Sequence, residues 1–273
     1  MGTAANRLTN EARKLIGKNW GKSSLTRQKL LQNVRSIANN MASQGLQHID
    51  NMKFKHVERF FDSLKEKELS ASTMQNYATA MRVIASAIGK PAIVPETNKA
   101  LGISRTDRYQ PISANVDKIA TIRDQLALRD ERLVAAFDMR DAFGLRSKES
   151  LLSKQVIERD GKQYLNVEGT KGGRPRLIEI ENEQQRQAIE QVQRIINTQG
   201  TTSIIPKDID LKKFYNYQKN TLSALGARRA DCSNMHAQRH SFAQEQKAQG
   251  KSSGEVQEIL GHGVERTLRH YVP

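Results

Sequence analysis

The chain is short of cysteine, aromatic residues, acidic side chains and long apolar runs, and each shortage narrows what it can be. A single cysteine, Cys232, excludes an internal disulfide and fits a reducing compartment. No hydrophobic stretch reaches the roughly 20 residues needed to span a bilayer. The opening MGTAANRLTN has no apolar run of the secretory kind. It begins Met-Gly, but Asn6 stands where a myristoylation signal carries Ser or Thr. No membrane partner is expected, and a cytoplasmic location is.

The acid shortage is the strongest bulk signal. Lys and Arg number 44 against 29 Asp and Glu, a formal charge of +15 and a pI near 10. A charge of that size attracts polyanions over long range, and nucleic acid is the commonest of them. The excess is uneven. Residues 1–110 hold 18 basic side chains against 8 acidic, residues 111–273 hold 26 against 21. The smaller front part is therefore expected to grip phosphates, while the back part places its cations more selectively.

Hydrophobic residues, at 37%, suffice for cores, and 273 residues suit two domains. Residues 1–24, polar and basic around Trp20, read as a mobile or lightly docked arm. Residues 25–90 read as a helical domain, with few Gly or Pro to interrupt it. Leu30, Leu31, Val34, Ile37, Ala38 and Met41 follow helical spacing, as do Val57, Phe60, Phe61 and Leu64. A third helix starts at Ser70 or Ser72 and ends at Gly89. Pro91, Pro95, Gly102 and Pro111 mark 91–116 as a linker. The remainder, 117–273, opens with a helix over 117–140. Short β-rich runs follow at Val156-Ile157, Tyr164–Val167 and Leu177–Ile180, with a tight turn at Asp160-Gly161. Helices are expected at 183–197, 211–226, 237–249, 253–260 and 264–270. The fold class is thus mainly α with a small antiparallel β-sheet.

Four of the six histidines lie in the last 38 residues, His236, His240, His262 and His270, with Arg239, Arg266, Arg269 and Tyr271 among them. Cys232, His236 and His240 are spaced by four, a ligand spacing on a helix. The stretch Asp231-Cys232-Ser233-Asn234 reads as a turn, which spoils that alignment, so no metal is expected.

Several separated motifs then arrive in order. AFGLRSKES places Arg146 after Gly144-Leu145, and GTKGGRPR places Lys171 in a hairpin loop. MHAQRHSFA supplies His236 and Arg239, and EILGHGVERTLRHY supplies His262 and Tyr271. MKFKHVERFFDSLKEKELSASTMQNYATAMRVI has the matching helix–loop–helix pattern in the front half. Over residues 25–271 the sequence resembles the tyrosine recombinases, or phage-type integrases. The resemblance implies a helical core-binding domain and a catalytic domain forming a C-shaped clamp on double-stranded DNA. It also implies site-specific strand exchange through a 3′-phosphotyrosyl link, with no metal or cofactor. Four protomers would synapse two DNA sites, as monomers or dimers off DNA, helped by DNA-bending accessory proteins. A nucleoid-associated, bacterial or phage-encoded protein is expected, serving integration or excision of a mobile element.

In that scheme Tyr271 is the nucleophile. A phenol with its ordinary pKa near 10 is only ~0.1% ionised at pH 7, a deficit of about 4 kcal/mol. It needs a proton acceptor, and His236 is assigned that role. Arg146 and Arg239 match the charge on the phosphorane's non-bridging oxygens, and His262 adds a hydrogen bond. Lys171 protonates the leaving 5′ oxygen, with Arg174 or Arg176 as substitute cations reaching DNA. Arg146 alone would read as a surface cation or an ion-pair partner of Glu149; its apolar helix points it inward, where the bound phosphate would be its anion. Lys53, Ser70, Ser72, Thr73 and Gln75 are candidate DNA contacts of the front domain, capping being an equal reading for the helix start.

A type IB topoisomerase, which shares the chemistry, and a DNA-binding module without strand exchange are the competing readings. Only Val272 and Pro273 follow Tyr271. The resembled family continues there with a segment that docks on a neighbouring protomer. Either the chain is cut short or its protomers associate through other surfaces. The front is also too short for an added arm-site-binding domain.

Overall fold

The computed structural model describes residues 3–17, 24–104, 113–169, 174–263, 268 and 271. The chain divides into two compact units, Met1–Asp107 and Arg108–Pro273.

The first unit is helical: α1 (Thr3–Ile16), α2 (Ser24–Ser43), α3 (Phe54–Glu66) and α4 (Ala71–Ala87). The predicted stripes meet in its core, where Val34, Ile37, Met41, Val57, Phe60, Phe61 and Ile84 are buried together. Phe60 packs edge-to-face on both Phe61 and Tyr77, with ring centroids 5.5 Å apart in each pair. Ser70 caps α4 by accepting from the Thr73 amide at 3.3 Å.

Two expectations for this unit need correction. The polar arm over 1–24 contains helix α1, whose Leu8 and Ala12 are buried in the core. Glu11 fixes it by accepting from the Ile49 amide at 2.8 Å. Small residues and a single leucine make up the buried stripe, so the segment's mean polarity hid it. The stretch read as linker is also partly core, since Val94, Leu101 and Ile103 are buried against the same cluster. Its prolines end the helices without removing the apolar side chains. Trp20 and residues 105–112 lie outside the described residues.

In the second unit α5 (Val116–Ala127) and α6 (Glu131–Phe143) replace the single expected helix. Asp130 separates them, its carboxylate accepting from the Arg132 amide at 3.0 Å as the cap of α6. After α7 (Glu149–Leu152) come β1 (Gln155–Arg159), β2 (Lys162–Val167) and β3 (Arg176–Glu179), an antiparallel sheet in the order β1-β2-β3. Asp160 and Gly161, at φ 52° and 72°, form the two-residue turn between the paired Arg159 and Lys162. Leu165 of β2 sits opposite Ile178 of β3, and both face the core.

The remaining helices are α8 (Glu183–Gln199), α9 (Leu211–Ala224), α10 (Ala237–Ala248) and α11 (Ser253–Leu260). Of the helix expected at 264–270, only Leu268 is among the described residues. Fully buried Arg140 ties α6 to α10, its Nε donating to Gln238 Oε1 at 3.0 Å. Phe242, Ala243, Val256, Leu260, Leu268 and Tyr271 form a separate small apolar cluster over α10 and α11.

Leu8→Ala is expected to cost the first unit about 2–3 kcal/mol. The effect should appear as an earlier first transition in denaturant; an unmoved transition would mean that α1 is only an appended arm.

Candidate active site

Five of the six predicted catalytic side chains lie among the described residues, and they converge in the second unit. The turn after α6 supplies Arg146. Gly144, at φ 60°, ends α6 in the left-handed conformation, and a Cβ there would lie 2.4 Å from the Phe242 ring. His236 precedes α10, whose first turn carries Arg239, and Asn234 Oδ1 caps this start by accepting from the amides of His236 and Ala237 at 2.9 and 3.1 Å. Gly261, at φ 63°, closes α11 and turns the chain so that His262 comes back toward Arg239.

Tyr271 is 6% exposed. Its hydroxyl lies 2.9 Å from His236 Nε2. His240 stacks on the phenol ring at 4.3 Å and 21°, and His262 packs at 4.9 Å. Gln244 Nε2 donates to the Tyr271 carbonyl at 3.2 Å and so fixes the backbone that presents the ring.

Burial, then the charges of His240, Arg239, Arg146 and Arg229, holds the His236 imidazole down to about 4. It is therefore neutral near pH 7. With its proton on Nδ1, Nε2 is free to take the phenol proton. His262 is held lower, to about 3, again by burial first and then by Arg239, Arg146 and Arg176. Its Nε2 lies 3.0 Å from Arg239 Nη2, a donor, so it must accept there. The ring proton then sits on Nδ1, which has no partner among the described residues.

The arginines are anchored by main-chain oxygen. Arg239 is fully buried and donates to the carbonyls of Gly144 (2.6 Å) and Leu260. Its Nε has no hydrogen-bond acceptor among the described residues. Burial and then Arg146 lower its guanidinium to about 10, still charged at neutral pH. Arg146 donates through Nη1 to Glu149 Oε1 at 2.7 Å and through Nη2 to the Gly261 carbonyl at 3.3 Å. Its side chain stays 25% exposed. The structure thus supplies an anion for Arg146 from within the chain, the Glu149 ion pair that the sequence offered as the alternative to a bound phosphate. Burial opposes the Glu149 charge, but hydrogen bonds and charge from Arg176, then the Arg146 amide and side chain, bring the carboxyl down to about 2.

Comparison with known proteins decides the family. Residues 103–245, just over half the chain, match the family model described as Integrase, and residues 5–94 match Phage integrase, N-terminal. The chain belongs to the phage integrases, a family of tyrosine recombinases.

Solved structures share this integrase's fold at low identity. A XerH site-specific recombinase bound to palindromic difH substrate, in a post-cleavage complex, is 20% identical with a TM-score of 0.69, over 96% of this chain and 80% of that one. A lambda integrase tetramer bound to a Holliday junction gives 15% and 0.61, over 98% and 76%. The Tn1549 transposon integrase in complex with transposon right end DNA gives 17% and 0.58, over 97% and 94%. No curated protein sequence matches.

Other expectations for this integrase fare unevenly. Lys171 lies outside the described residues. Arg174 is exposed, beside Gly263, on a cavity of about 560 Å3 that His262 also lines. Arg176 is not placed to reach DNA: its side chain is 6% exposed and engaged with Glu149 and the Ile259 carbonyl. Lys53, Ser70 and Ser72 are exposed, and Thr73 and Gln75 half-buried. The Ser70 hydroxyl is engaged in capping α4. Cys232, His236 and His240 line a cavity of about 250 Å3, and no three His, Cys, Asp or Glu side chains among the described residues are grouped to hold a metal. Among them, too, no helix is long and apolar enough to cross a membrane. The sequence reading missed Gln244 and the partners of Arg176, because both depend on contacts distant in sequence.

Gly144→Ala should drive a methyl into Phe242 and shift the carbonyl that Arg239 holds. A loss of about 1–3 kcal/mol in denaturant unfolding, with slowed DNA cleavage, is expected; unchanged stability would mean that the turn tolerates a side chain. The histidines predict a pH dependence. Both are depressed when folded, so the unfolded chain binds more protons below the ordinary imidazole value of 6.5. Stability should therefore be fullest above pH 6.5 and drain as pH falls toward about 4. Denaturant midpoints should show this, and His236→Asn should flatten it; an unchanged slope would contradict the buried neutral ring.

Proposed function

We propose that the chain is a site-specific DNA recombinase whose nucleophile is Tyr271. The phenol oxygen attacks the scissile phosphorus and the bond to the 5′ oxygen breaks, leaving a 3′-phosphotyrosyl ester. His236 takes the phenol proton, and Lys171 gives a proton to the departing 5′ oxygen. Religation runs the same steps backwards, so the bond energy is kept in the ester and no external energy source is consumed. Arg146 and Arg239 bind the phosphate's non-bridging oxygens, joined by the Nδ1–H of His262.

The observation that carries this reading is the 2.9 Å approach of the Tyr271 hydroxyl to His236 Nε2, in a pocket walled by Arg239 and His262. General-base geometry needs a reach of about 2.6–3.2 Å. The base is kept neutral first by burial and then by the charges of His240, Arg239 and Arg146 around it. Family membership supports the DNA cleavage-and-rejoining class. The XerH recombinase bound to its difH substrate and the lambda integrase tetramer bound to a Holliday junction support DNA as the partner, and we take four protomers on two sites as the assembly. We extend this to accessory bending proteins, a nucleoid-associated cytoplasmic location and DNA contacts through Lys53, Ser70, Ser72, Thr73, Gln75 and Arg174. A basic front domain with exposed Lys53 favours phosphate contact there. We further take 1–107 as the core-binding unit and 108–273 as the catalytic unit. No observation favours the topoisomerase reading.

A duplex nicked beside the cut site tests the proposal, because the short leaving strand diffuses away and traps the covalent complex. Wild-type protein should accumulate adduct, Tyr271→Phe none, and Arg239→Lys should slow accumulation by about 100–1,000-fold. Adduct formation by Tyr271→Phe at the wild-type rate would refute the assignment.

A further inference from the structure

Three consecutive carbonyls at the end of α11 each accept from a different arginine. Arg176 Nε donates to Ile259 at 2.5 Å, Arg239 Nη2 to Leu260, and Arg146 Nη2 to Gly261 at 3.3 Å. Two of these arginines are assigned to the phosphate, and the third is not. Arg176 stands at the start of β3, its side chain buried, and turns both Nη atoms onto Glu149: Nη2 to Oε2 at 2.9 Å and Nη1 to Oε1 at 3.3 Å. Both Glu149 oxygens also serve Arg146, Oε1 its guanidinium and Oε2 its amide.

We propose that Arg176 is a positioning residue for strand cleavage: by holding Glu149 and the last turn of α11 at once, it sets where Arg146 and His262 stand. The inference rests on the assignment of Arg146 to the scissile phosphate. Glu149 is 1% exposed and cannot exchange a lost partner for water. Without the Arg176 fork, its charge falls on Arg146 alone. A carboxylate that binds Arg146 more tightly competes with the phosphate for the same guanidinium. The second effect is geometric. The Ile259 carbonyl sits two residues before Gly261, which a side chain would bring within 3.0 Å of Arg176 Nη1, so this close packing fixes the turn that delivers His262. Lysine cannot replace the arrangement, since a single ammonium cannot reach two carboxylate oxygens and a carbonyl with fork geometry.

Arg176→Lys is the test, with Arg176→Gln as a second variant should the first not fold, and thermal melting measured on both. DNA affinity and its salt slope should match wild type, because Arg176 touches no phosphate. Single-turnover cleavage of the nicked duplex should fall about 100-fold. The decisive readout is a duplex with a methylphosphonate at the scissile position, which lacks one charged oxygen and so needs Arg146 less. On that substrate the defect should shrink several-fold. Cleavage at the wild-type rate, or equal losses on both substrates, would overturn the proposal, the latter marking a merely structural role. A reduced salt slope would overturn it in favour of a direct DNA contact. Absence of adduct with wild-type protein would instead refute the recombinase assignment itself.

Discussion

The end of one short helix holds this site together. Helices leave their last carbonyls without partners and carry partial negative charge at that end. Here α11 spends those carbonyls on three guanidinium groups that would otherwise repel one another. Glu149 adds the only carboxylate among their described hydrogen-bond partners. Three cations against one anion leave a surplus of two positive charges in a largely buried pocket. A phosphodiester brings one negative charge and its pentavalent transition state a second, so in the proposed assignment the surplus would match the state the reaction must stabilise. Fixed donors of this kind need no reorganisation at the moment of reaction.

The same surplus adds to what burial does to the histidines. Burial lowers both imidazoles first, and the neighbouring charges push them further, so neither holds a proton near neutral pH. Neutrality is what a proton acceptor for a phenol requires. In the proposed assignment the cationic wall has two tasks: it would attract the phosphate, and it adds to the burial that keeps the neighbouring imidazole unprotonated. The apolar cluster under α10 and α11 supplies the low-dielectric setting in which both effects are strong.

Much of this was legible in the residues. The helical stripes of 25–90, the Asp160-Gly161 turn, the helix carrying Arg239 and the helix that ends just before His262 all follow from periodicity, caps and turn chemistry. The grouping of Arg146, His236, Arg239, His262 and Tyr271 came from motif order, and the geometry brings them together. Helix α1 escaped notice because two alanines and one leucine bury a face that averages as polar. Asp130 divided a helix that periodicity read as continuous, since a capping carboxylate leaves the apolar spacing intact. Arg176 was misread for a deeper reason. A cation after a glycine-rich turn looks exposed in sequence, and only the packing of β3 on α11 shows that its partners are Glu149 and a carbonyl 83 residues away.

The account stands on a covalent bond between one phenol and DNA. Digestion of the trapped protein–DNA complex, followed by mass spectrometry of the nucleotide-bearing peptide, reads that bond directly. The expected result is a 3′-phosphate ester on Tyr271. A nucleotide on any other side chain, or one joined through a 5′-phosphate, would contradict it.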